Sequence, residues 1–139
     1  MPDNQNEQLI RSWVKQIWNG EDGDSIGDFH PDQFQNEGRE SSIGEANKWH
    51  QQMRSVYPDL IYTINEIVVA GERVTFRWSA TGTHHGVLWG FIQPTGKKIS
   101  WNGMHLVTVE NQKIVEIWAI SNTLAQLQQM GVQLQPPSG

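Results

Sequence analysis

The spacing of apolar and polar residues changes period near residue 60. Before it, Leu9, Ile10, Trp13, Val14 and Ile17 recur at i, i+1, i+4, i+5 and i+8, the stripe of an amphipathic helix over roughly 6–19, which "NGEDGDSIGD" then interrupts. A second helical stripe, Ala46, Trp49, Met53, Val56 and Tyr57, opens on Ser42 and Glu45 in capping-box spacing and stops at Pro58, predicting a helix over about 43–57. Between them the His30-Pro31 step disfavours helix, and "FQN" predicts a brief edge strand.

From Leu60 the chain alternates as strands do. Turn signals at Ala70-Gly71, Gly82 to Gly86, Pro94 to Gly96 and Asn111-Gln112 divide it into four or five strands, read as one antiparallel meander. One strand sets Val74, Phe76, Trp78 and Ala80 against Arg73, Thr75, Arg77, Ser79 and Thr81. The last strand places Ile114, Trp118 and Ile120 on one face by period two, with Val115, Ile117 and Ala119 on the other. Two apolar faces on an antiparallel strand predict a second surface against it, hence a homodimer through the open side of the sheet; a tetramer also fits. "NTLAQLQQMG" predicts a short closing helix with a glycine stop, and 132–139 a flexible tail. The order of elements is that of an α+β domain, its helices gathered on one face of a curved sheet.

A chain of 139 residues predicts a single domain, 1–139, with its core over about 6–131. The net charge of −5 and the scattered basic residues give no footprint for nucleic acid or anionic lipid. With no cysteine there is no thiol nucleophile or thiolate metal site. The acidic, polar start "MPDNQNEQ" and the lack of any apolar run near ~18 residues predict no membrane span and a cytoplasmic protein. Seven tryptophans stand against two tyrosines and four phenylalanines. Such walls suit a roomy pocket for a flat ligand as well as they suit a core.

Several motifs resemble the SnoaL-like polyketide cyclase (ester cyclase) family, of the superfamily named after nuclear transport factor two: "YPDL" at a helix end, "RWSATGTHHG", "PTGKKISW", "GMHLVTVENQKIVEIW" and "LAQLQQMG". The resemblance spans about 44–131. It implies a cone-shaped, cystatin-like α+β barrel in which a curved antiparallel sheet wraps around the N-terminal helices and leaves a deep pocket. It also implies cofactor-free ring closure of a polyketide ester by intramolecular aldol addition, on a small hydrophobic, oxygenated ligand. The superfamily also holds isomerases and dehydratases, so the fold alone leaves the reaction open, and a non-catalytic binding protein is the alternative.

Aldol closure needs a base, a group that stabilises the enolate and an acid. Four residues after the Trp of "EIW" the resemblance implies an acid/base aspartate. Asn122 stands there instead, and an amide exchanges no proton at neutral pH; Asn is also among the best helix caps. His105 shares a strand face with Ile99, Trp101, Val107 and Val109 and is the leading acid/base candidate, a core histidine being the alternative. Glu116 is a candidate replacement carboxylate if its face is buried. Asn36, Trp49, Met53, Trp78, His84, Trp89, Trp101 and Trp118 are the candidate ligand-binding residues. No carboxylate–histidine spacing matches a metal site, so neither metal nor cofactor is expected.

Overall fold

The computed structural model describes residues 2–21 and 23–137. Helix α1, Pro2–Trp13, begins earlier than its apolar stripe and runs into a wider π turn, Val14–Trp18, in which the Asn19 N–H donates to the Val14 carbonyl at 2.9 Å. Hydrogen bonds that span five residues bring side chains five apart onto one side. Trp13 and Trp18 therefore meet edge to face, their ring centroids 5.0 Å apart. The Arg54 guanidinium donates to the Trp18 carbonyl at 2.5 Å and the Leu60 carbonyl at 3.2 Å, satisfying backbone oxygens the helix end leaves free.

A 3₁₀ turn, Gly23–Asp28, leads into β1, Gln33–Asn36, and β2, Arg39–Ser42. The expected edge strand is thus one arm of a hairpin, turned at Glu37 and Gly38, whose φ values are 53° and 81°. Helix α2, Ile43–Val56, starts where expected, the Ser42 hydroxyl accepting the Glu45 N–H at 3.2 Å. Strands β3, Ile61–Ala70, β4, Arg73–Thr83, β5, Lys98–Glu110, and β6, Lys113–Ser121, form the meander, and α3, Thr123–Gln129, follows. The segment between Thr83 and Lys98 is a loop rather than a strand, bridged between Leu88 and Ile92 and tied at its base by backbone hydrogen bonds of His84 with Gly96 and Lys97. Val132 packs on the core and residues 132–137 form no regular element, while Ser138 and Gly139 of the expected tail lie outside the described residues.

The sheet order is β2-β1-β6-β5-β4-β3. The meander is antiparallel as expected, but β1 joins it parallel to β6 through Gln35 with Glu116 and Asn36 with Ile117. The sheet is curved and unclosed. Its pairing is interrupted twice: Ile64 and Glu66 face consecutive β4 residues, leaving Asn65 extra, and Ile114 and Glu116 face consecutive β5 residues, leaving Val115 extra. Each bulge bends and twists its strand. The bulge at Val115 also reverses the facing of everything after it. Ile114 and Ile117 are buried on the concave side, whereas Trp118 and Ile120 are 44% and 80% exposed on the convex side. The expected grouping of Ile114 with Trp118 and Ile120 fails for that reason. The core lies between the concave face, through Val74, Phe76, Trp78, Ile99, Trp101 and Val107, and the stripe of α1 with its π turn.

Candidate functional site

A cavity of about 380 Å³ occupies the wide end of the core, between the concave sheet face and α1, α2 and α3. This is within the size range of small-molecule sites. Six of the seven tryptophans line it: Trp13, Trp18, Trp78 and Trp101 are buried in its wall, and Trp49 and Trp89 stand half exposed at its mouth. Trp89 holds a φ of 55°, a conformation few non-glycine residues adopt, in the loop between β4 and β5. Asn36 and Met53 also line the cavity, Asn36 from the exposed β1 hairpin.

His105 sits in the wall, reached from β5 on the concave face. Its Nδ1 accepts the indole N–H of Trp78 at 2.9 Å. An indole N–H only donates, so in the neutral ring the proton is on Nε2, which has no partner among the described residues. The ring stacks on Phe76, with centroids 5.2 Å apart, and meets Trp18 at 4.7 Å. Burial, with a smaller contribution from nearby His50, lowers its pKa to about 3. It is a neutral N–H donor at physiological pH.

What seats Trp78 is Gly103, its partner across the β4–β5 ladder. A Cβ at residue 103 would stand 2.4 Å from the Trp78 ring and 2.6 Å from the Ile120 carbonyl. The bare backbone lets the indole lie across β5 and reach the histidine two residues along.

Two further histidines line the cavity that spacing did not single out. His30, 2% exposed, stacks on Phe34 with centroids 4.3 Å apart, and its Nδ1 donates to the Ile114 carbonyl at 3.1 Å. Burial lowers its pKa to about 4, outweighing the Ile114 hydrogen bond that raises it; Lys113 lowers it a little further. His50, on α2, is lowered to about 4 by burial and then by His30 and Arg54. Their signal in the sequence was slight, a histidine before a proline and a histidine beside Trp49. Tyr62 lines the same wall, and burial raises its phenol so that it stays protonated. The indole N–H groups of Trp13 and Trp18 are buried without an acceptor among the described residues. Among those residues no three His, Asp or Glu side chains cluster closely enough to hold a metal ion.

Four expected site residues lie elsewhere. Asn122 is exposed and caps α3, its Oδ1 accepting the Ala125 N–H at 3.2 Å, while its own N–H donates to the Asn102 carbonyl at 2.8 Å. The β6 side chains that line the cavity are Ile117, Ala119 and Ser121; Ala119 lies directly across the ladder from His105. Glu116 is turned by the bulge to the convex face, where its carboxylate accepts the Thr108 hydroxyl at 3.1 Å. Trp118 shares that face for the same reason. His84 is fully buried but apart from the cavity, its Nδ1 accepting the Thr95 N–H at 3.3 Å. The convex face carries a shallower trough of about 670 Å³, lined by Arg77, Met104, Trp118 and Ile120 among others.

Known proteins share this architecture. A protein from Jannaschia sp. CCS1, a candidate SnoaL-like polyketide cyclase, superposes with a TM-score of 0.84 at 18% identity, over 98% of this chain and 96% of its own. AclR from Streptomyces galilaeus, a candidate hydroxylase, gives 0.79 at 28% identity, over 93% and 97%. IdmH from Streptomyces antibioticus, a candidate polyketide cyclase, gives 0.78 at 25% identity, over 92% and 99%. No curated protein matches the sequence. The sequence matches the family model described as SnoaL-like polyketide cyclase over residues 8–130, so that this chain, by sequence and by fold, belongs to the SnoaL-like polyketide cyclase family.

Proposed function

We propose that the cavity takes a small, flat, hydrophobic molecule bearing oxygen, and that the protein acts on it by acid/base chemistry without a cofactor, in a cyclase-type role. The observation that carries this reading is the Trp78–His105 hydrogen bond, which fixes a neutral N–H donor in a tryptophan wall. Such a donor favours a substrate oxygen as negative charge develops on it, and does so most strongly where water is excluded. Tyr62 adds a second donor on the same wall.

Titration with 1-hydroxy-9,10-anthraquinone, followed by quenching of tryptophan fluorescence, tests this reading. Saturable quenching is expected, weakened about tenfold in His105→Asn, which keeps an acceptor for Trp78 but is too short to place an N–H where the ring's Nε2 stands; one charge-neutral hydrogen bond is worth roughly that. Equal binding by both proteins would remove His105 from the site.

We further propose that a second copy of this chain covers the convex face. Met104 and Trp118 are about half exposed there and Ile120 is 80% exposed, an apolar strip on that face. Sedimentation of the wild type against Ile120→Lys tests it; a dimer that becomes a monomer is the expected result.

A further inference from the structure

Two histidines of the cavity wall have tautomers that the fold determines, and they are set in opposite senses. His105 spends Nδ1 as an acceptor, so its Nε2 carries a proton. The Nδ1 of His30 faces the Ile114 carbonyl, which can only accept, so the neutral ring is protonated at Nδ1 and its lone pair lies on Nε2. That Nε2 has no partner among the described residues, and unlike the indole N–H groups of Trp13 and Trp18 it is not sealed from the cavity space. Both rings line the same cavity and both pack edge-on against Trp13, with centroids 5.5 Å and 6.3 Å from it. The position across from His105 on β6 is Ala119, and the carboxylate that does line the cavity, Glu37, stands on the exposed turn of the β1 hairpin.

We infer that His30 is the general base of this site and His105 the oxyanion donor, and that the substrate is an enolisable ketone whose acidic C–H faces His30 while its carbonyl oxygen faces His105. The inference rests on the cavity being the substrate site. In the first step the C–H bond breaks, its proton passes to Nε2 of His30, and the electron pair moves through the new C=C bond onto the carbonyl oxygen, which accepts the N–H of His105. His30 is then an imidazolium. In the second, the enolate carbon bonds to an electrophilic carbonyl of the same molecule, and the alkoxide so formed takes the proton back from His30. Atoms and charge balance, with no oxidant or metal. Two neutral imidazoles of fixed and opposite tautomer offer a base and an acid at once, with no requirement that either be charged beforehand.

The test uses 2-tetralone, a bicyclic enolisable ketone, with binding followed by tryptophan fluorescence and α-proton exchange followed by proton NMR in D₂O. His30→Asn keeps a side-chain donor for the Ile114 carbonyl and removes the Nε2 lone pair. Wild type is expected to accelerate exchange about a hundredfold over buffer, and His30→Asn to lose that acceleration while binding the ketone as before. Binding by the wild type without accelerated exchange, or full exchange by His30→Asn, overturns the assignment of His30 and leaves the cavity reading standing. Failure of the wild type to bind overturns both. Because His30 is buried, the wild type is also read directly by nitrogen-15 NMR of its imidazoles: a proton on Nδ1 of His30 and on Nε2 of His105 is expected, and a proton on Nε2 of His30 overturns the inference whatever the variant does.

Discussion

Trp78 lies opposite Gly103 in the β4–β5 ladder, and its indole reaches past that glycine to hold Nδ1 of His105 at 2.9 Å. The residue that orients the histidine is thus itself oriented by the lack of a side chain. Gly103→Ala would set a methyl 2.4 Å from the indole with the Ile120 carbonyl behind it. Overpacking of this kind costs about 1–3 kcal/mol. Urea unfolding should register that loss, and the imidazole nitrogen signals should show His105 no longer held in one tautomer; an unchanged tautomer would show that Trp78 reaches the histidine without the glycine.

Asn122 and Ala119 make a paired test of which β6 position addresses the cavity. Asn122→Ala should cost about 1 kcal/mol through loss of the α3 cap and leave anthraquinone binding unchanged. Asn122→Asp keeps a capping oxygen and should alter neither stability nor ligand affinity by much. Ala119→Asp instead puts a carboxylate across from His105. It should raise the histidine's pKa, visible in an NMR titration as an imidazole that charges nearer neutrality. No movement of that pKa would mean the side chain at 119 turns away.

The three neutral histidines of the cavity wall make stability depend on pH, and the sign follows from their lowered values; His84, lowered by burial, acts in the same sense. Folded, His30, His50 and His105 take up protons only near pH 4, 4 and 3. Unfolded, each does so near ~6.5, so the unfolded state binds more protons as pH falls below that. Stability is greatest above about pH 6.5 and declines as the pH drops towards about 4, by about 1.4 kcal/mol per pH unit for each histidine. Chemical denaturation across that window should show a slope of more than one proton, reduced by His50→Gln. A flat profile would mean that these rings are hydrated in the folded protein.

Much of the architecture was legible because local chemistry and tertiary packing agree. The Ser42 cap, the stop at Pro58 and the alternation of Val74, Phe76 and Trp78 each specify the element found. The last strand misled, because period two holds only while pairing is regular and nothing in "KIVEIW" marks Val115 as the extra residue. That one residue moved Glu116 and Trp118 out of the site. Trp13 and Trp18 were hidden differently. Five apart, they read as separate faces of an α-helix, and only the π turn brings them together. His30 and His50 escaped because neither has a partner near in sequence. What makes His30 chemically distinct is a carbonyl 84 residues away.

The bulges at Asn65 and Val115 lie in the first and the last pairings of the meander, β3–β4 and β5–β6, and Asn65 and Val115 are not among the residues that line the cavity. They nonetheless set how tightly the sheet closes on the helices, because an unpaired residue is what bends a strand. Removing either one would straighten its strand while keeping every lining side chain in its face and order. Selectivity for ligand girth in this protein is therefore adjustable by counting residues, through the length of a strand relative to its neighbour, separately from the chemistry its walls present.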